Sequence, residues 1–229
     1  DKIAYASKSD LRERRNQLIL AEKVKISWVK GVLEKSVHSA ALIELGKEIK
    51  ANAVEHPWDM VLERPDEQSQ PLIVGKKIVE IFDGMGRALL ILGAPGSGKT
   101  ITLLELARDL IARAESDPVH PIPVVFNLSS WAKRRQPLAD WLADELSVKY
   151  QIPRMIGRKW ITDIDLCLLL DGLDEVAAEY RGACVAAING FRADHGLTEI
   201  AITCRAEDYR ALAPKLDVSG TMTLQPLTD

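Results

Sequence analysis

The chain has 229 residues, of which 47% are hydrophobic and 28% are charged, and its formal net charge is −3 at pH 7. This length accommodates one large domain with an appendage, and the apolar fraction is sufficient for a packed core. The slight negative charge excludes a general attraction to nucleic acid or anionic membranes, so neither is an expected partner. No apolar run is long enough to predict a membrane span.

The positions of the three cysteines indicate the redox environment of the protein. All three lack the spacing of a metal site. Cys167 and Cys204 lie in apolar, strand-like runs, which predicts small core residues of a reducing environment, and we expect a cytoplasmic protein. Because the chain begins with Asp1 rather than Met, we also expect it to be part of a longer protein.

The first part of the chain, residues 1–62, is predicted to be a helical region that packs on the following domain. A second helix within it is predicted over residues 39–54. The polar, proline-bearing residues 63–71 predict a loop, so we place a linker at 63–75 and the core domain at 76–229. In the first helix, apolar residues repeat every seven positions and predict one buried stripe, which consists of Leu11, Ile19, Ile26, Val29, Val32 and Leu33.

Residues 89–107 (LLILGAPGSGKTITLLELA) predict a strand, a glycine-rich loop and a helix. The apolar run 89–92 is typical of a strand buried on both faces, and apolar residues recur at three- and four-residue spacing after Thr100. Between them, 93-GAPGSGKT-100 matches the pattern G-x-x-x-x-G-K-[ST] of a phosphate-binding loop. The alternative is a glycine-rich turn that matches by chance.

The residue types of this loop suit phosphate chemistry. Glycines let the backbone curl so that successive N–H groups point at phosphate oxygens, and the N-terminus of the helix adds positive potential. Lys99 can reach the β- and γ-phosphates, and the Thr100 hydroxyl can bind Mg²⁺. The candidate nucleotide-binding residues are Gly93, Ala94, Pro95, Gly96, Ser97, Gly98, Lys99, Thr100 and Ile101.

An acidic cluster follows the third predicted strand. A second strand is predicted at 124–128 and the third at 166–170, directly before Asp171. At the carboxyl edge of a parallel sheet, Asp171 would bind Mg²⁺, and Asp174 or Glu175 would orient or deprotonate the attacking water. The alternative is an acidic turn that caps the next helix. Asp174 could do this capping and leave Glu175 as the base.

A basic residue follows the fourth predicted strand, residues 199–204. Arg205 would lie at the same edge, where its guanidinium could bind a γ-phosphate and report its presence. It is therefore a candidate catalytic residue together with Asp174 and Glu175. The alternative is a salt bridge to a neighbouring acid. A last strand is predicted at 221–224.

With these motifs, the chain resembles the NACHT family (STAND class) of signal-transducing P-loop ATPases, bacterial type. The resemblance implies an α/β, three-layer P-loop NTPase sandwich with a five-stranded parallel sheet of order 5-1-4-3-2. It also implies ATP, ADP and Mg²⁺ as ligands, and a slow ATPase switch that controls homo-oligomerisation of the full-length protein. The similarity covers about residues 70–229 and rests on 93-GAPGSGKT-100, 122-IPVVFNLSSW-131, 166-LCLLLDGLDEV-176, 202-ITCR-205 and 224-LQPLT-228.

One departure from the family pattern affects activity. In the family, helical and winged-helix regions follow the ATPase core and close over the nucleotide, so we expect this chain to have an incomplete pocket and little turnover. Two other functions stay open: an AAA-type remodelling or motor ATPase, and a scaffold whose nucleotide is structural. In such motors the Asp-Glu pair directly ends the strand, whereas here Gly172 and Leu173 separate it from Asp171.

Overall fold

A computed structural model describes residues 8–36, 60–63, 70–71, 76–196 and 198–224. Within these residues, seven strands form one sheet. In chain order the strands are β1 (Met60–Glu63), β2 (Gln70–Pro71), β3 (Ala88–Gly93), β4 (Ile122–Asn127), β5 (Leu166–Asp171), β6 (Ile200–Arg205) and β7 (Gly220–Leu224).

Five of the strands, β3 to β7, are parallel and lie in the order β7-β3-β6-β5-β4. Numbered along the chain, this is the order 5-1-4-3-2, so the predicted fold class is confirmed. Helices cover both faces of the sheet. They are α1 (Lys8–Val24) with a π-helical continuation (Lys25–Leu33), α2 (Ile78–Gly84), α3 (Lys99–Ser116), α4 (Leu138–Tyr150), α5 (Arg154–Thr162), α6 (Ala178–Asp194) and α7 (Ala206–Arg210).

The sheet extends beyond its parallel part through β1 and β2. β1 pairs antiparallel with β7, and β2 pairs antiparallel with β1. These strands lie where the sequence predicted the end of a helical region and a linker, so residues 60–63 and 70–71 are extended where a helix end and a loop were expected. The strands are too short to show a period, and pairing satisfies the backbone groups that the edge of β7 would otherwise expose. The helix predicted at 39–54 lies outside the described residues.

The N-terminal helix packs on the domain through a different stripe from the predicted one. Leu20 and Val24 are fully buried, and Val29 and Leu33 are nearly so. Ile19 is 44% exposed, and Leu11 and Ile26 are also exposed, so these three were assigned to the wrong face. The buried face of α1 passes through Leu20 and Val24, and the wider turns of the π-helical segment place the next buried residue, Val29, five positions after Val24. A constant seven-residue repeat cannot predict such a shift.

The buried strands bring the carboxyl ends of the parallel part together. All of β3 and β5, and β6 up to its last residue, are buried. In the register of the sheet, Gly93 pairs with Arg205, and Asn127 pairs with Asp171. Cys167 and Cys204 are buried free thiols, as predicted for core residues. No helix of the described residues is long and apolar enough to cross a membrane.

Candidate nucleotide-binding site

The glycine-rich loop joins β3 to α3 through two left-handed residues. Gly96 and Gly98 have φ angles of 76° and 82°, a conformation that residues with a Cβ adopt only at a cost. The backbone N–H of Ser97 donates to the Ala94 carbonyl at 3.2 Å, and α3 begins at Lys99. The loop therefore curls and delivers the chain to a helix N-terminus, which is a site for anions.

The Lys99 side chain lies along the beginning of this loop. Its ammonium donates to the carbonyls of Gly93 at 3.2 Å and Ala94 at 2.8 Å. Carbonyl oxygens hold a cation less strongly than phosphate oxygens do, because a phosphate oxygen adds the Coulomb attraction of a negative charge to the hydrogen bond. Lys99 is thus held at the loop by groups that an anionic ligand can replace.

Thr100 and Asp171 meet across the two motifs. The Thr100 hydroxyl lies 3.1 Å from each carboxylate oxygen of Asp171. On the other side, the Thr203 hydroxyl donates to Asp171 Oδ1 at 2.7 Å and accepts from the Gly172 N–H at 2.8 Å. Thr203 comes from β6, so three segments of the chain fix the position of one carboxylate.

Burial of this carboxylate shifts its titration. Asp171 is 5% exposed, and desolvation raises the pKa of its carboxyl above its ordinary value, although hydrogen bonds from Thr203 and Thr100 oppose the shift. A buried, ionised carboxylate is costly without a compensating cation. The hydroxyl of Thr100 and the carboxylate of Asp171 are hard oxygen ligands, and this pair fits Mg²⁺.

Glu175 lies beside this pair and is exposed. Its Oε2 accepts from Asn127 Nδ2 at 2.9 Å, and the Oδ1 of that asparagine accepts from Ser129 N at 2.9 Å. The side chain folds back over Gly172, whose φ is 77°, and a Cβ added there would come within 2.7 Å of Glu175 Cδ. Asn127 and Gly172 together keep the Glu175 carboxylate next to Asp171.

Asp174 has different neighbours from Glu175. Its side chain is 8% exposed and accepts from the Arg205 backbone N–H at 3.1 Å and from Arg205 Nε at 2.8 Å. The salt bridge weighed as the alternative for Arg205 is therefore present in this structure. Arg205 is half-exposed, so its guanidinium borders both the acid and the solvent. The Asp174 carboxylate is therefore bound to Arg205, whereas the Glu175 carboxylate is bound to Asn127 at the carboxyl edge of the sheet.

A cavity of about 420 Å³ opens beside the beginning of the phosphate-binding loop. Gly93, Ala94 and Pro95 line one side, and Arg205 and the residues after it line another. Arg205 thus lines the same cavity as the loop and pairs with Gly93 in the sheet, so its long side chain lies near a phosphate that binds to the loop.

Three residues at or next to the site were not predicted from the sequence: Asn127, Thr203 and Arg181, which donates to the Asp174 carbonyl and pairs with Asp208. Asn127 ends a strand at the carboxyl edge, and its polar character after an apolar run is a signal that could have marked it. Thr203 is a hydroxyl within a buried strand, and Arg181 lies on a helix behind the site. Neither of these two has a local pattern that indicates its partners.

The comparisons with known proteins are sparse. No protein-family model matches the chain, and no curated protein does. Among solved structures, the structure of C. elegans PCH-2 aligns with a TM-score of 0.39 at 15% identity, covering 66% of this chain and 41% of that one. A likeness of this degree carries no argument about function. The strand order and the loop between β3 and α3 define a P-loop NTPase-type domain.

Proposed function

We propose that this domain binds ATP and ADP with Mg²⁺ and slowly hydrolyses ATP, as the switch of a signal-transducing NTPase. The observation that carries the proposal is the contact between Thr100 and Asp171, at 3.1 Å, beside the Lys99 loop and the Glu175 carboxylate. These groups have the oxygen ligands, the cation and the base that phosphoryl transfer from a nucleotide requires. The switch role rests on the NACHT resemblance.

In the proposed reaction, each of these groups has one role. Backbone N–H groups of the loop and Lys99 would bind the phosphates, and Thr100 and Asp171 would hold Mg²⁺, which would offset the phosphate charge. Glu175 accepts a proton from water as the water oxygen attacks the γ-phosphorus. The bond from that phosphorus to the β–γ bridging oxygen breaks, and the products are ADP and inorganic phosphate. Because Glu175 is exposed, it has access to water.

Arg205 is proposed to distinguish ATP from ADP. In this structure its guanidinium pairs with Asp174, and a γ-phosphate would compete for it with a larger charge. An exchange of this kind couples nucleotide state to the turn after β6, as a switch requires. We expect Arg205→Ala to bring the dissociation constants of ATP and ADP closer together. Equal discrimination before and after this substitution would leave Arg205 with the salt bridge alone.

The experiment that tests nucleotide binding is a calorimetric titration of the chain with ATP and with ADP in Mg²⁺. Lys99→Ala should abolish binding, because it removes the cation that contacts the phosphates. Lys149→Ala is the matched control, since that lysine pairs with Glu145 on α4 and should leave binding unchanged. If Lys99→Ala binds like the unmodified chain, the phosphate-loop assignment is wrong.

The alternative function, an AAA-type remodelling or motor ATPase, differs in rate and in partner. Such a motor would turn over quickly, and a nucleic-acid motor would turn over faster with DNA. The switch proposed here turns over slowly and does not respond to DNA. Steady-state hydrolysis with and without DNA separates the two, and oligomer size in ATP compared with ADP tests the proposed control of assembly.

A further inference from the structure

Arg181 lies near the beginning of α6 and sends its guanidinium group to three acceptors. Its Nε donates to the Val176 carbonyl at 2.8 Å, and its Nη2 donates to the Asp174 carbonyl at 2.6 Å. Its Nη1 pairs with Asp208 Oδ1 at 2.6 Å. The side chain is only 17% exposed, so these bonds are made largely away from solvent.

These acceptors belong to the two turns of the proposed site. The carbonyls of Asp174 and Val176 lie on either side of Glu175 in the chain, and Asp208 lies on α7, which begins directly after Arg205. The same two turns are also joined by the ion pair between the Asp174 carboxylate and Arg205. Arg181 thus links the turn that carries the proposed base, Glu175, to the turn that carries the proposed phosphate sensor, Arg205.

We propose that Arg181 is a positioning residue that fixes the Glu175 turn relative to the Arg205 turn; this inference rests on the proposed function. A guanidinium is planar and presents its donors in a fixed fork, so three bound acceptors are held at fixed mutual positions. A lysine has one nitrogen on a flexible stem and cannot hold the same three at once. Arg181 touches neither nucleotide nor water in this scheme and acts through Glu175 and Arg205.

The alternative is that Arg181 only stabilises the fold. A purely structural residue would, when replaced, lower the melting temperature and weaken ADP and ATP binding together. A positioning residue affects what only ATP requires: discrimination by Arg205 and turnover through Glu175. ADP binding depends mainly on the loop at 93–100, which Arg181 does not contact, so it serves as the internal reference.

The experiment compares Arg181→Lys with the unmodified 229-residue chain by calorimetry with ATP and ADP, by steady-state turnover and by thermal denaturation. We expect the ADP dissociation constant to change less than about twofold, and kcat to fall by about 10- to 100-fold, as misplaced catalytic groups typically cause. The preference for ATP over ADP should fall as far as in Arg205→Ala, with no further loss in the double variant. Arg108→Lys, at an exposed arginine paired with Asp109, is the control.

A second variant distinguishes the contributions of the Glu175 turn and the Arg205 turn. Asp208→Asn weakens the link between Arg181 and α7 and leaves the two carbonyl contacts of Arg181 with the Glu175 turn in place, so discrimination should fall more than turnover does. Unchanged kcat and discrimination in Arg181→Lys would overturn the positioning role, and so would a parallel loss of ADP and ATP binding with a lower melting temperature. If the unmodified chain binds no nucleotide, it is the proposed function that fails.

Discussion

Asp171 is a carboxylate that is almost excluded from water and held by two hydroxyl groups. Because desolvation raises its pKa in the folded state, the folded protein binds more protons than the unfolded chain between the two pKa values. Stability contributed by this group is therefore greatest below the unfolded pKa and decreases as pH rises through that window. Above that window, the buried charge of Asp171 opposes folding.

Because the buried charge of Asp171 lowers the stability of the folded protein, we predict that a neutral residue at this proposed functional position stabilises it. Asp171→Asn keeps the shape and an acceptor for Thr203, removes the buried charge and should raise the melting temperature at pH 7 by about 2–4 °C, which is about 1 kcal/mol at this size. It should also abolish the Mg²⁺-dependent hydrolysis proposed above. Thermal denaturation from pH 4 to pH 7 measures the effect, with Asp217→Asn at an exposed carboxyl as the control. A lower melting temperature would contradict the account.

Glu175 gives a second prediction at the residue scale. Glu175→Gln keeps an oxygen that accepts from Asn127 but cannot take a proton from water, so ATP should still bind while turnover falls by about 10²- to 10⁴-fold. Glu179→Gln, an exposed glutamate of α6, should have neither effect. Single-turnover hydrolysis with bound ATP is the measurement. Normal turnover in Glu175→Gln would move the base to another residue, with Asp174 the first candidate.

At the scale of elements, the turn between β5 and α6 depends on one glycine. Gly172→Ala would place a Cβ 2.7 Å from Glu175 Cδ and would force a non-glycine residue to a φ of 77°, which costs about 1–2 kcal/mol. We expect lower stability and at least a tenfold loss of turnover, because Glu175 must move. Gly190→Ala is the matched control, since a Cβ there meets open space on a helix and should stabilise it by about 0.5–1 kcal/mol.

A comparison of the two glycines decides the assignment. If both variants keep full turnover, the contact between Gly172 and Glu175 has no role in hydrolysis. If both lose it equally, general destabilisation explains the loss. Only a loss confined to Gly172→Ala agrees with the proposed role of this turn.

The elements that the sequence predicted well share a physical property. Buried apolar runs such as residues 89–92 and 166–170 are strands that end in residues of a different chemical type. The order of the parallel strands was implied by the NACHT resemblance and not by these runs. The partners of side chains are not local: the contact between Thr100 and Asp171 could be expected from the two motifs, but that of Thr203 with Asp171 required the register of β6. The same applies to Asn127 and Glu175.

At the scale of the whole molecule, the N-terminal helix belongs to the same core as the sheet. Lys23 donates to the Tyr150 carbonyl at 2.7 Å, and the Trp28 indole donates to the Tyr150 hydroxyl at 2.9 Å. That hydroxyl in turn donates to the Val125 carbonyl of β4 at 2.6 Å. These bonds connect α1 and its π-helical continuation through α4 to β4, the last strand of the parallel sheet, so the helix is not a detached appendage.

Adjacent residues of α1 test this unity. Leu20 is fully buried and Ile19 is 44% exposed, so Leu20→Ala should lower the free energy of unfolding of the entire domain by about 2–5 kcal/mol, whereas Ile19→Ala should cost less than about 1 kcal/mol. Denaturant unfolding followed by fluorescence and by circular dichroism gives both values. If the helix packs as part of one core, both probes report a single transition that moves together in Leu20→Ala. Equal losses of unfolding free energy at the two positions would support the predicted seven-residue stripe. A separate transition at lower denaturant would show that the helix unfolds independently of the domain.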